Sequence, residues 1–260
     1  MQVNNGFGHT FDSVTADYDR WRPDYPAALY RDLLALCPLN EASRALEIGI
    51  GTGQATRPIL ETGCAVTAVE PGAQLTQFVR AKFAEYPRFQ AENARFEEFS
   101  ASPGSFDLIY AATAFHWVDP EVGYPKVLAL LKPGGVFARF ANHPYNGENA
   151  AQFEAIQAVY ARHRKGGKPP RRFAEADAQT LAALPEQYGF VQTSYRLYAR
   201  TRSFTGEEYT GLLNTYSDNL AMEEASRQRF YAEIRAAIEQ TGGIIEIHDT
   251  IDLELAVKPE

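Results

Sequence analysis

Three ionisable side chains follow apolar runs that have the length of β-strands. Glu47 lies in the segment ALEIGIGTGQAT, just before three alternating glycines; Glu70 follows AVTAV; and His116 follows FDLIYAATAF. Closely spaced glycines let backbone N–H groups approach a ligand because they lack a Cβ. A carboxylate such as Glu70 can accept hydrogen bonds from both hydroxyls of a ribose, and a neutral imidazole can accept a proton. The spacing therefore predicts a nucleoside site with a candidate base beside it.

The glycine loop departs from the pattern that binds the pyrophosphate of dinucleotides. That pattern requires Gly or Ala where this chain has Gln54, and Gly53 comes one residue too early. Glu47 would repel a pyrophosphate, whereas it attracts a cationic ligand at about 4 Å by about 4 kcal/mol at an effective dielectric near 20. Two other interpretations stay open: Glu47 as a solvated strand end, and Glu70 as the N-cap of the next helix.

The elements that position these side chains alternate along the first half of the chain. We predict strands at residues 45–48, 65–69, 106–111 and 136–140, and helices at about 54–62, 73–86 and 123–131. This β-α-β-α order with right-handed crossovers predicts an α/β fold, a doubly wound and mostly parallel sheet. Ligands bind such sheets beyond the carboxyl ends of the strands, where Glu47, Glu70 and His116 fall.

The regular alternation of predicted strands and helices ends after residue 142. An amphipathic helix at 148–163, the basic loop RKGGKPPRRF and a helix near 175–187 predict a helical cap at 143–188. The segments FVQTSYRLYARTRSF and GIIEIHDTIDLELAV, with helices near 206–220 and 223–241, predict two further edge strands. We expect one domain over 1–260, with a core and N-terminal flap at 1–142 and with residues 189–260 completing the sheet.

Composition narrows the class of function. The formal net charge of −8 gives no electrostatic support to nucleic-acid or anionic-membrane binding. We find no apolar run of signal-peptide length and none near the roughly 18 residues of a membrane helix, so we expect a cytoplasmic protein. Cys37 and Cys64 have no His or Cys at metal-ligand spacing, which predicts buried free thiols and no metal site.

Four motifs, in order, resemble the class I S-adenosylmethionine-dependent methyltransferases. LEIGIGTG resembles their glycine loop, AVEPG their ribose-binding turn, FDLIYAATAFHW their fourth strand, and LKPGG the turn before the fifth. FDSVTADYDRWRPDYP and AFHWVD resemble more narrowly the small-molecule branch that includes trans-aconitate methyltransferases. The resemblance implies a seven-stranded Rossmann-like sheet and transfer of a methyl group from S-adenosylmethionine to a small molecule, at a carboxylate or a hydroxyl.

The resemblance also implies a set of cofactor contacts: a loop around the methionine part, Glu70 on the ribose, residues beside the adenine, and an N-terminal flap. The set is Tyr18, Arg22, Glu47, Gly49, Gly51, Gly53, Glu70, Pro71, Asn93, Ala94, Ala112 and Thr113. Asn93 stands where the family commonly has an acidic residue that receives the adenine amino group, with Glu92 one place earlier. The carbonyl oxygen of Asn93 can accept the same bond, so the partner stays open between these two residues. Tyr18 and Arg22 could instead be ordinary helix surface.

The acceptor side is predicted from four residues. His116 is the candidate catalytic base, because an unperturbed pKa of about 6.5 leaves it largely neutral at pH 7, although a carboxylate acceptor needs no base. Trp117 is predicted to be a wall of the substrate pocket. Arg171 and Arg172 of the basic loop could bind an anionic substrate, since a guanidinium pairs bidentately with a carboxylate, or could be solvated surface.

Two rival functions remain open at this stage. A nicotinamide-dependent dehydrogenase would use a similar sheet, but Gln54 and Glu47 disfavour it. A protein that binds S-adenosylmethionine without transferring its methyl group would carry the same motifs. The expected partner is a small-molecule substrate, and the sequence leaves the acceptor and the oligomeric state open.

Overall fold

A computed structural model describes residues 15–164 and 170–260, apart from the side chains of residues 15–17. Seven strands form one sheet in the order β3-β2-β1-β4-β5-β7-β6. The strands are β1 (Arg44–Ile48), β2 (Ala65–Val69), β3 (Phe89–Glu92), β4 (Phe106–Ala112), β5 (Leu131–Tyr145), β6 (Val191–Thr205) and β7 (Ile244–Val257). Strands β1 to β5 pair in parallel, and β7 pairs antiparallel with both neighbours. The predicted doubly wound, mostly parallel sheet is confirmed.

Ten α-helices connect and cover the strands in the described part of the chain. They are α1 (Thr15–Trp21), α2 (Ala27–Leu36), α3 (Arg57–Leu60), α4 (Ala73–Lys82), α5 (Pro120–Leu130), α6 (Ala150–His163), α7 (Glu175–Ala183), α8 (Gly206–Leu213), α9 (Ser217–Leu220) and α10 (Glu224–Gln240). Within the described residues, two 3₁₀ turns lie at Phe115–Trp117 and Leu184–Tyr188. None of the helices described is long and apolar enough to cross a membrane.

The expectation of two edge strands after the cap is wrong for one of them. Strand β6 lies at the edge, but β7 inserts between β5 and β6. Its residues from Ile251 to Ala256 are buried on both faces of the sheet, which an edge strand would not be. Strand β7 can pair with both β5 and β6 because the chain reverses its direction after α10, so that β7 runs antiparallel to both. No local signal in the sequence specifies that reversal.

Several elements differ in length from the predictions, and the helix predicted near 206–220 is two helices, α8 and α9. Strand β5 continues five residues past Phe140 because Ala141 to Tyr145 pair with β7, even though these residues are not uniformly apolar. Helix α3 is only four residues long, since the glycine loop occupies the start of the predicted helix and Pro58 lies in its first turn.

The core divides into three packed layers. One face of the sheet packs on α2 to α4, with Leu29, Ile59 and Val79 at the centre. The other face packs on α5 through Val127 and Leu130. Helices α6, α8 and α10 form a third apolar cluster with the start of β7. The helical layer therefore includes helices from both sides of the predicted boundary at 188, and the domain division itself remains a prediction.

Candidate active site

A cavity of about 420 Å³ opens at the carboxyl ends of β1, β2 and β4. Eleven of the predicted site residues line it: Tyr18, Arg22, Glu47, Gly49, Gly51, Glu70, Pro71, Ala112, Thr113, His116 and Trp117. Its wall also includes residues that sequence reasoning missed, among them Tyr25, Arg95, Phe96, Asn142, Pro144, Tyr216 and Ser217. Gly53, Asn93, Ala94, Arg171 and Arg172 are not part of the wall.

The three glycines of the loop after β1 all have positive φ but serve different purposes. A Cβ on Gly51 would lie 3.6 Å from Tyr18 Cε1, so this position has room and faces the cavity. A Cβ on Gly49 would lie 2.6 Å from the Cβ of Ala114 in the loop after β4. A Cβ on Gly53 would lie 2.4 Å from the buried ring of Phe83. Gly53 therefore closes the loop onto α4 instead of facing the cavity.

Glu70 lies at the end of β2 with its carboxylate fixed by the backbone. Its Oε2 accepts a hydrogen bond from the Gly51 N–H at 3.0 Å, and its Oε1 accepts one from the Gly72 N–H at 2.9 Å. The N-cap of α4 is Gly72, so Glu70 is not itself the N-cap of this helix. A carboxylate oxygen has two lone pairs, and this acceptor capacity is what a pair of ribose hydroxyls requires.

Glu47 is buried at the end of β1, where its Oε2 accepts from Thr56 Oγ1 at 2.7 Å and from the Tyr110 hydroxyl at 2.8 Å. Burial raises the pKa of Glu47 to about 7, although both hydrogen bonds oppose the rise and the Glu70 charge adds to it. The carboxyl is therefore poised to ionise when a cation enters the cavity. It is not the solvated strand end that the sequence left open.

Asn93 and Ala94 lie just outside the cavity, at the turn after β3. Asn93 Nδ2 donates to the carbonyl oxygens of Glu70 and Pro71 at 2.9 and 3.0 Å, so its amide braces the loop after β2. The residues after β3 that do reach the cavity are Arg95, Phe96 and Glu97. The predicted adenine contacts of Asn93 and Ala94 remain a prediction.

The loop after β4 is strained where it meets the cavity. Thr113 has φ +52°, which is unfavourable for a β-branched residue, and its N–H donates to the Phe140 carbonyl at 2.8 Å. Its hydroxyl is 2.7 Å from the Tyr25 hydroxyl. Burial raises the pKa of Tyr25 above its usual range, so this phenol stays neutral. Strain of this kind at a cavity is typical of functional sites.

Helix α1 and the residue after it cover the glycine loop. Lys82 Nζ ties α1 to α4 and to the loop, because it contacts Asp19 Oδ1 at 2.5 Å and donates to the Thr52 carbonyl at 2.9 Å. The Arg22 guanidinium lies 4.8 Å from the ring of Tyr18 and 4.2 Å from that of Tyr216, and it donates to the Thr215 carbonyl. Its Nε is buried without a hydrogen-bond partner in the described residues. Tyr18 and Arg22 are therefore cavity wall, not ordinary helix surface.

His116 and Trp117 lie at the exposed rim on the 3₁₀ turn after β4, with ring centroids 4.9 Å apart. Partial desolvation lowers the pKa of His116, and its electrostatic interactions with Arg139, Arg22 and His143 lower it further. No hydrogen bond joins its ring to another side chain in the structure as described. The lowered pKa favours the neutral imidazole at pH 7, as a base requires, and the described residues show no hydrogen bond from its ring to the backbone.

The arginines of the basic loop all have acidic partners. Arg171 pairs bidentately with Asp177 at 2.6 Å, and Arg172 contacts Glu148. Residues 165–169, which include Lys165 and Lys168 of the same loop, lie outside the described residues. This geometry favours the solvated-surface interpretation, and a substrate role for Arg171 and Arg172 remains an untested prediction.

Comparison with known proteins agrees with this geometry. The methyltransferase domain family matches residues 46–137. Trans-aconitate 2-methyltransferase of Deinococcus radiodurans is 30% identical over 258 residues, which cover 85% of this chain and 98% of that protein.

Two solved structures share the fold. One, from Anaeromyxobacter dehalogenans and described as a candidate type II methyltransferase, has a TM-score of 0.62 and 23% identity over 92% of this chain and 99% of that one. The other, phosphoethanolamine N-methyltransferase 2 of Haemonchus contortus with S-adenosyl-L-methionine, has a TM-score of 0.55 and 15% identity over 96% of this chain and 57% of that one.

The chain belongs to the class I S-adenosylmethionine-dependent methyltransferases. It is an enzyme that transfers a methyl group from this cofactor to an acceptor, and the predicted nicotinamide alternative is set aside. The cavity fits the cofactor: Gly51 leaves room for close approach, and Glu70 presents a fixed carboxylate.

Proposed function

We propose that this enzyme methylates a carboxylate of a small anionic acceptor, forming a methyl ester. The observation that carries the proposal is the charge of the cavity wall opposite the glycine loop. Arg22 lines the cavity, Arg200 and Arg202 lie directly behind Asn142 of this wall, and among the described residues Asp249 is the one carboxylate that pairs with the latter two. The cluster therefore has an excess of positive charge in a protein of net charge −8. A positive wall concentrates and orients anions.

The name of the Deinococcus relative supports the same acceptor class, since trans-aconitate is a tricarboxylate. Arg22 also remains a proposed cofactor contact, because it lies over the glycine loop beside Tyr18. Both uses draw on the same property, a partly buried guanidinium whose Nε has no hydrogen-bond partner among the residues described.

In the proposed mechanism the chain supplies orientation more than proton transfer. S-adenosylmethionine brings a methyl group that is already activated by its sulfonium. Glu70 holds the ribose, Glu47 faces the positive charge, and Thr113 and Ala112 shape the wall between cofactor and acceptor. Tyr18, which covers the glycine loop, and Trp117, which lies at the exposed rim, restrict the entry of water into the cavity. Alignment of the acceptor oxygen with the methyl group is the main contribution that such a site makes to the rate.

A second candidate function is methylation of a hydroxyl, and His116 is the observation that favours it. A hydroxyl must lose its proton, and His116 is neutral and has no hydrogen-bond partner in the described part of the chain. In this case His116 accepts the proton as a general base, which contributes about 10²–10⁴-fold to the rate.

The two functions differ in the stability of the product. We expect transfer of a radiolabelled methyl group to trans-aconitate or citrate, with release of the label as methanol in mild alkali because esters hydrolyse and ethers do not. His116→Asn should then keep its turnover from pH 6 to 9. Alkali-stable label on a hydroxyl acceptor, together with a rate loss of at least about 100-fold in His116→Asn, would instead establish the second function.

The raised pKa of Glu47 predicts how stability depends on pH. A carboxyl whose pKa is about 7 when folded and about 4.5 when unfolded binds more protons in the folded state between these values. Its stabilising contribution is complete below pH 4.5 and is lost as the pH rises through 7. We expect the free energy of unfolding of the cofactor-free enzyme to fall over this range. Glu47→Gln should remove that part of the fall, as urea titrations at pH 5, 6, 7 and 8 would show; an unchanged slope in the variant would contradict the assignment.

A further inference from the structure

The cavity wall opposite the glycine loop includes the side-chain amide of Asn142, whose hydrogen bonds fix its orientation. It lies on β5 past Phe140, in the part of the strand that pairs with β7. Its side chain lines the cavity and is half-buried. Neither the motifs of the sequence nor the cofactor contacts account for it.

Two charged groups of opposite sign hold this amide. Asn142 Nδ2 donates to Asp249 Oδ1 at 3.1 Å, and Asn142 Oδ1 accepts from Arg200 Nη2 at 2.9 Å. A carboxylate can only accept and a guanidinium can only donate. A flipped amide would therefore place oxygen against oxygen and N–H against N–H, so the orientation of Asn142 is fixed by chemistry.

The charged groups are themselves anchored. The Asp249 side chain is fully buried and also accepts from Arg202 at 2.6 and 2.9 Å. Arg200 contacts Asp249 Oδ2 at 3.0 Å and donates through Nη1 to the Asp24 carbonyl at 2.6 Å. Asp24 lies between the cavity residues Pro23 and Tyr25. The cluster thus joins β5, β6 and β7 to the segment that leads into α2.

This arrangement leaves one N–H of the Asn142 amide without a hydrogen-bond partner among the described residues. That N–H can donate to a ligand. An Asn amide nitrogen carries two hydrogens, and one of them is used by Asp249. The second N–H belongs to a side chain that lines the cavity. Because Arg200 and Arg202 outnumber Asp249 directly behind it, the local charge favours an anion over a cation at that N–H.

We propose that Asn142 is a specificity-determining residue of the acceptor site, and that its second amide N–H donates to a carboxylate oxygen of the acceptor. The proposal rests on the proposed function, because it assigns a partner to the anionic acceptor. Asp249 and Arg200 act as positioning residues that present this donor, and they do not touch the acceptor themselves.

The test measures binding of trans-aconitate to the complex with S-adenosylhomocysteine by calorimetry, in wild type, Asn142→Ala and Asn142→Asp. Loss of a charge-assisted hydrogen bond predicts about 10- to 100-fold weaker binding in Asn142→Ala. Asn142→Asp keeps the shape but adds a negative charge and has no donor, so it should lose more. The affinity of both variants for S-adenosylhomocysteine should stay within about threefold of wild type.

Gln152→Ala is the matched control. Gln152 is a buried amide that donates to Thr241 Oγ1 and to the Ile244 carbonyl, and it is not part of the cavity wall. Its removal should lower thermal stability as the removal of Asn142 does, yet leave trans-aconitate binding unchanged. A similar loss of binding in Gln152→Ala would show that the effect of Asn142→Ala is only structural and would overturn the proposal.

The remaining outcomes separate this inference from the proposed function. Wild-type binding in Asn142→Ala, or an equal loss of S-adenosylhomocysteine affinity, overturns the role of Asn142 while leaving ester formation intact. Binding of trans-aconitate that depends on Asn142 but leads to no methyl ester supports the donor and overturns the proposed function. A wild-type enzyme that neither binds nor methylates trans-aconitate overturns both.

Discussion

Replacing Glu70 with alanine should lower the affinity for S-adenosylmethionine by about two to three orders of magnitude. Two charge-assisted hydrogen bonds to the ribose hydroxyls are worth about 3–5 kcal/mol together, and each 1.4 kcal/mol is a factor of ten. The carboxylate also accepts from the N–H groups of Gly51 and Gly72. The substitution therefore removes the ribose partner and loosens the glycine loop at the same time, so both effects weaken binding.

Calorimetry with S-adenosylmethionine and S-adenosylhomocysteine would measure this loss. Glu70→Gln should give a smaller loss, because an amide keeps one acceptor oxygen. Glu98→Ala is the matched control, since Glu98 is an exposed carboxylate in the segment after β3 and does not line the cavity. A loss of less than about fivefold in a folded Glu70→Ala variant would remove Glu70 from the ribose site.

Replacing Gly49 with alanine should destabilise the enzyme more than the same change at Gly51. Both residues have positive φ, which costs an alanine about 1–2 kcal/mol at either position. Only at Gly49 does the new Cβ meet another atom too closely, 2.6 Å from the Cβ of Ala114. Overpacking of this kind costs about 1–3 kcal/mol more, so we expect about 2–5 kcal/mol in total.

The clash at Gly49 also has a functional consequence. Ala114 follows the strained Thr113 and precedes the 3₁₀ turn that carries His116, so its displacement moves the wall between cofactor and acceptor. We expect Gly49→Ala to lose cofactor binding and turnover together, whereas Gly51→Ala, whose Cβ has 3.6 Å of room, should lose only about 1–2 kcal/mol of stability. Equal free energies of unfolding for the two variants, measured in urea, would show that contact with Ala114 is not decisive.

Local sequence signals were sufficient to predict most of the cofactor-binding side of the cavity. Strands β1, β2 and β4 are short apolar runs bounded by turn residues, and the side chains at their carboxyl ends converge because parallel strands end at one edge. Glu47, Gly49, Gly51 and Glu70 could therefore be placed in the cavity from the sequence. The role of Gly53 could not be predicted from the sequence. The ring that would clash with a Cβ at this position belongs to Phe83, thirty residues further along the chain.

The acceptor side was decided by contacts between distant segments. The density of positive charge in the basic loop suggested that it could bind an anionic substrate. In the folded chain, however, Asp177 and Glu148 neutralise Arg171 and Arg172. Asn142 carries no local signal, and its orientation arises only because β7 inserts between β5 and β6 and brings Asp249 beside Arg200. Sequence patterns of period two or 3.6 determine which residues are buried in each element, so the sheet and its glycine loop follow from them. The contacts of Asp249 with Arg200, 49 residues away, and with Asn142, 107 residues away, depend on strand order, which only the tertiary structure decided.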